Sequence, residues 1–86
     1  MDTEQIIITK LISQQSYYKK LISSLIDYRK ALLENEPKEF IIEINKQFKE
    51  VALKVIADNL AKELAIGPDV IYSVLDNLNL EEYINV

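Results

Sequence analysis

The residue types most able to do chemistry are few. The chain has no Cys and no His. That excludes a thiol nucleophile, a Ser–His couple, an imidazole base, a zinc–thiolate site and a disulfide framework. A single Gly leaves no phosphate-cradling loop of either common type. Two groups remain. Glu34, Glu36, Glu39 and Glu43 cluster near Pro37, and four carboxylates are the oxygen donors a hard metal ion takes. Their placement around a helix start also matches simple complementation of the helix dipole, and that is the expectation. A carboxylate di-metal bundle additionally needs Glu-x-x-His pairs, which a chain without His cannot supply. Neither a metal nor another cofactor is expected, and no catalytic residue is assigned.

The second group is Tyr17-Tyr18-Lys19-Lys20. Rings beside ammonium groups suit stacked bases and phosphates, or a protein contact rich in aromatics. The packing alternative places Tyr18 on a core seam, Tyr17 at its edge and both lysines in water. Core and edge packing is favoured, protein contact comes second and nucleic acid third.

Breakers divide the chain that carries these groups. Pro37 and Gly67-Pro68 are the only ones among 86 residues. No segment between them holds another Gly or Pro, so each can be one helix. Asp2 or Thr3 is placed to cap the first, expected over 3–35. Leu11, Tyr18, Leu25 and Leu32 recur every seven residues along it, while Ser13-Gln14-Gln15-Ser16 interrupts the apolar pattern. A second helix, over 37–66, starts with Pro37 at its first position. Ile41, Ile44, Phe48, Val51, Val55, Leu60 and Leu64 form its apolar stripe. Gly67 is expected to end it as a left-handed cap. A third helix is expected over 68–79, and a final short one over 80–85, where Asn79-Leu80-Glu81-Glu82 repeats a capping pattern.

The expected fold is therefore all-α and single-domain, a long antiparallel two-helix hairpin plus a short third helix. A hairpin alone closes no core. Apolar residues also lie off the narrow stripes, among them Ile6, Ile7, Ile12, Ile26, Phe40, Ile42, Leu53 and Ile56. That surface predicts association, as a homodimer of four-helix type or on a larger partner. A helix that bends back on itself is the competing explanation.

Residues 60–75 resemble a helix-turn-helix. Ala61 stands at the small position of the first helix and Leu64 packs behind it. Ala65 and Ile66 make the turn, and Ile71 and Val74 follow at the spacing of the second helix. The resemblance implies nucleic-acid reading by the second helix, with the corner extending to about residue 78. Two departures stand against that. Ala65 occupies the turn position that is usually Gly. The second helix also carries no base: residues 68–86 hold four acids and no Lys or Arg, a charge of −4 that equals the net charge of the whole chain. Residues 1–30 carry five bases against three acids, and residues 31–67 five against seven. Phosphate binding is dominated by Lys and Arg, so Asp69, Asp76, Glu81 and Glu82 oppose it.

More loosely, two long helices flanking Ala31-Leu32-Leu33-Glu34-Asn35-Glu36-Pro37-Lys38-Glu39-Phe40 are similar to the turn region of small flagellar and type III secretion chaperones. That likeness implies a groove holding a secreted substrate's helix.

The expected function is non-catalytic binding through helices, as an adaptor, small accessory subunit or chaperone. The partner is another protein or a second copy of the chain. The alternative is a nucleic-acid-associated regulator. Leu11, Tyr17, Tyr18, Leu25, Phe48, Val55, Tyr72 and Asp76 are the candidate contact residues, divided between core and interface. The acidic opening Met1-Asp2-Thr3-Glu4 is not a signal-peptide pattern, and no apolar run nears the roughly 20 residues of a membrane span. A cytoplasmic location is the default expectation.

Overall fold

The computed structural model describes residues 2–84, and among them there are helices and no strand. In chain order they are α1 (Thr3–Ser13), α2 (Gln15–Leu21), α3 (Ser23–Asn35), a 3-10 turn (Lys38–Phe40), α4 (Ile41–Leu64), α5 (Pro68–Asp76) and α6 (Leu80–Ile84). The all-α expectation holds. No helix among the described residues is long and apolar enough to cross a membrane.

The N-terminal third is not the single helix expected over 3–35. Asp2 caps it, its carboxylate accepting from the Gln5 N–H at 2.8 Å. The helix then breaks at Gln14 (φ −124°, ψ 32°) and again at Ile22 (φ −105°, ψ 15°). The first break falls inside the polar interruption. There the Ser13 hydroxyl donates back to the Lys10 carbonyl at 2.9 Å, a bond that bends helices. The Gln14 N–H is shared between the Lys10 and Leu11 carbonyls at 3.2 and 3.3 Å. No Gly or Pro marks Ile22. Its side chain is fully buried, as are Ile7, Leu11 and Tyr18, so this bend follows from packing. A straight rod of this length would run roughly 50 Å. The bent one wraps around the other elements, in the manner of long helices that curve over a core. The molecule measures 45 × 21 × 19 Å.

Helix α4 runs antiparallel to α3 and is the spine. Ala52, Leu53, Ile56 and Leu60 are fully buried on it, and Ala57 almost so. Helix α3 packs beside its first half, α5 lies along it, and α6 closes against α1 and α2. Pro37 is not in the helix. Its ψ of 149° is extended, and α4 is preceded by a 3-10 turn in which the Phe40 N–H bonds to the Pro37 carbonyl at 3.0 Å.

The end of α4 also corrects the sequence. The left-handed residue is Ala65 (φ 55°, ψ 37°), not Gly67, which has φ −57° and ψ 137° and stands at the N-cap of α5 with Pro68 following. Helix α5 stops at Asp76, earlier than residue 79; the Asn77 amide donates to the Ser73 carbonyl at 3.0 Å. Helix α6 occupies the expected position, and residue 85, where it was expected to end, lies outside the described residues.

A left-handed conformation costs a non-Gly residue about 1–2 kcal/mol. The greater freedom of Gly in the unfolded chain offsets about 0.4–1 kcal/mol of any gain. Ala65→Gly is therefore expected to stabilise the protein by about 0.5–1 kcal/mol. Gly67 needs no special backbone, and a Cβ there meets nothing within 4 Å. Gly67→Ser adds a capping hydroxyl and is expected to stabilise by about 0.5 kcal/mol. Urea midpoints of the two variants test both assignments. A Gly67 that held the left-handed cap would reverse the second sign.

Candidate functional site

The Tyr17–Lys20 cluster resolves into core and rim. Tyr18 is fully buried. Tyr17 is exposed, and its ring meets the Tyr18 ring edge-on, with centroids 5.1 Å apart at 75°. The Tyr17 hydroxyl accepts from the Asn59 amide at 3.2 Å, tying α2 to α4. Nearby, Lys10 pairs with Glu63 at 3.2 Å. The Tyr18 hydroxyl and the Gln14 carbonyl oxygen are both buried without a hydrogen-bond partner. Burial, with the negative charge of Glu63 and the neighbouring Tyr17, pushes the Tyr18 phenol up to about 12.

Glu34, Glu36, Glu39 and Glu43 are all exposed, and Glu43 accepts from the Gln47 amide at 3.1 Å. Among the described residues no group of three or more metal-ligating side chains converges.

The corner between α4 and α5 is built around packing. Leu60 and Ile71 are fully buried, and Leu64, Ile66 and Val74 lean on the same core. Two of the C-terminal acids face bases of the hairpin. Lys49 lies 3.6 Å from the Asp76 carboxylate and donates to the Asp76 backbone carbonyl at 3.3 Å. Arg29 lies 3.2 Å from Glu81, with its guanidinium 4.2 Å above the Phe48 ring. Asp69 and Asp76 stay exposed.

A small groove lined mainly by apolar side chains stays open between α3 and α4. Leu25, Tyr28 and Leu32 form one wall, and Ile44, Phe48 and Val51 the other; its volume is about 130 Å³. The groove continues past Gln47 to Phe40 at the turn end. Beyond Val51 the same surface reaches Val55, then Pro68 and Tyr72 of α5. Tyr28 is 65% exposed, and Phe40 and Val51 each 47%, which marks an apolar strip open to water.

The candidate contact residues divide accordingly. Leu11, Tyr18 and Phe48 belong to the core. Leu25, Val55 and Tyr72 are half-buried and border the open strip. Tyr17 and Asp76 are exposed elsewhere. Tyr28 was missed, although its spacing from Leu25 and Leu32 is helical and signals the same face. No protein-family model matches the chain, and no curated protein or solved structure is significantly similar to it.

Folding holds the Tyr18 proton between pH 10 and about 12, a window in which the unfolded chain releases it. The folded state then binds more protons, so stability falls as pH rises through that window, by up to about 1.4 kcal/mol per pH unit. Tyr18→Phe also removes an unpaired buried hydroxyl. It is expected to stabilise by about 1 kcal/mol at neutral pH. Urea unfolding of both proteins from pH 7 to 11 checks this: the wild-type deficit should widen above pH 10, and a constant difference would refute the assignment.

Proposed function

We propose that this chain is a non-catalytic protein-interaction module that binds another helix along its exposed α3–α4 face. The observation that carries the reading is the open apolar strip through Tyr28, Val51 and Phe40. Isolated exposed apolar residues are ordinary on a monomer, but a contiguous row between two helices has the form of a helix-binding groove. Adaptor, small accessory subunit and chaperone are roles that such a groove serves. The acidic, base-free surface of α5 gives no support to phosphate contact by that helix.

Tyr28 and Val51 are exposed, so a Tyr28→Glu/Val51→Glu double variant is expected to keep its helical circular dichroism and its unfolding midpoint to within a few degrees. Tagged wild-type chain and the double variant would be recovered at equal abundance from cells of the source. A stoichiometric polypeptide, either a differently tagged copy or another protein, should accompany the wild type and be at least tenfold depleted from the variant. Recovery of no such polypeptide, or equal recovery by both proteins, would refute the reading.

A further inference from the structure

We infer that the occupant of the α3–α4 face is a second copy of this chain, docked with the two α4 helices antiparallel about a twofold axis near Gln47. This rests on the interaction-module reading above and adds the partner and its register.

The pattern along α4 is self-complementary. Ile44 and Val51 lie equally far on either side of the Gln47–Phe48 bond, and so do Phe40 and Val55. Phe40, just before α4, and Val51 are exposed, Val55 is half-buried, and Ile44, only 8% exposed, floors the groove. An antiparallel twofold pairing centred on that bond sets Ile44 against Val51 of the second copy and Phe40 against Val55, each contact occurring twice. A strip read by an unrelated helix has no need of such symmetry.

The charges agree with the same register. Glu43 and Lys54 are eleven residues apart, hence about 20° apart around the helix, on one flank of the strip. A twofold axis across the helix brings the same flank of both copies together. Glu43 of one copy then lies within two residues, about 3 Å of helix rise, of the position opposite Lys54 of the other. Both side chains are exposed and long enough to meet. Tyr28 stands beside Gln47 and Val51, so the two Tyr28 rings approach near the axis.

Area supports the pairing as well. A compact 10.0 kDa monomer exposes about 5,200 Å², whereas this chain exposes 5744 Å². Helix α4 is about 36 Å long, and two helices side by side are about 20 Å wide. That face is on the order of 700 Å² in projection, close to the ~800 Å² per partner of a standard stable interface. Two such layers form a four-helix arrangement.

The test uses the purified 86-residue chain. Light scattering across low to high micromolar concentration is expected to give a dimer. Val51→Glu should raise its dissociation constant at least tenfold while the helical signal is kept. Lys54→Glu should weaken it about threefold, and Glu43→Lys added to it should restore it. Because the chain has no Cys, single-Cys variants report proximity cleanly. Gln47→Cys should form a disulfide-linked dimer under mild oxidation, and Asn79→Cys, which borders the crevice on the far side of α4, should not. A monomer at every concentration overturns the proposal, as does a dimer that survives Val51→Glu or crosslinks equally through both cysteines. A monomer that still captures a different protein through Tyr28 and Val51 overturns the twofold dimer alone. Failure of the interaction reading is distinct: nothing of either kind is captured.

Discussion

Helix α4 is buried along two of its sides at once, and that constraint sets the position of everything else. Phe48, Ala52, Leu53, Ile56, Ala57 and Leu60 are buried along it, and it has neighbours among the N-terminal helices and in α5. Two of these positions are Ala, which lets neighbouring backbones approach closely. A helix clasped in this way cannot turn without exposing one set of side chains. The N-terminal helices must therefore follow it. A straight rod would follow α4 alone and leave α5 and α6 uncovered. Breaks at Gln14 and Ile22 let the same apolar row, Ile7, Leu11, Tyr18 and Ile22, stay buried while the chain curves toward α6.

The groove is the geometric remainder of that arrangement. The later part of α4 has neighbours from α1, α2 and α5, whereas its first turns have α3 and the preceding 3-10 turn. Apolar residues continue into those first turns at helical spacing, so the strip outlasts its cover. The C-terminal segment is held down partly by charge. Arg29 stacks on Phe48 and reaches Glu81, and Lys49 reaches Asp76. The Lys49 pair is exposed on both sides and contributes at most about 1 kcal/mol. Arg29 is more enclosed, with 17% of its side chain exposed, and its contact with an aromatic face adds to its hold.

Most of the fold is legible from apolar spacing. The extent of α4, the start of α5 at Pro68 and the short α6 follow from residues that repeat at 3.6 or punctuate a helix, but the buried face of α4 is rotated from the expected stripe: Ile41 and Val51 are exposed, while Leu53 and Ile56 are fully buried. Of the features that were not legible, two have separate physical reasons. The break at Ile22 has no local cause, since it is imposed by where the chain must go to bury that side chain. The exchange of roles between Ala65 and Gly67 arises because helix termination depends on where the intrahelical bonds stop, and tertiary packing decides that. A Gly near a helix end is a good indicator of a left-handed cap, yet a neighbour held by Leu64 and Ile66 on the core can take the conformation in its place. The candidate contact residues were legible as apolar or aromatic. Which of them face outward was not, because Leu11, Tyr18 and Leu25 share one heptad seam and only the bends assign them to different depths.

A helix–turn–helix corner is a packing solution before it is a reading device. Its small, branched and turn positions exist to set one helix across another, and here Leu60, Ile71 and Leu75 are buried in doing so. Reading nucleic acid asks more: bases on the outer face of the second helix, unspent on other partners. The outer face of α5 offers Asp69, Ser73 and Asp76 instead, and the nearest bases of the hairpin turn toward its acids. Asp76 ties the end of α5 to α4 through Lys49, and Glu81 ties α6 to α3 through Arg29. Two of the four acids in the last nineteen residues, Asp76 and Glu81, are thus directed toward bases of the molecule itself, while Tyr28 and Val51 stay open to water.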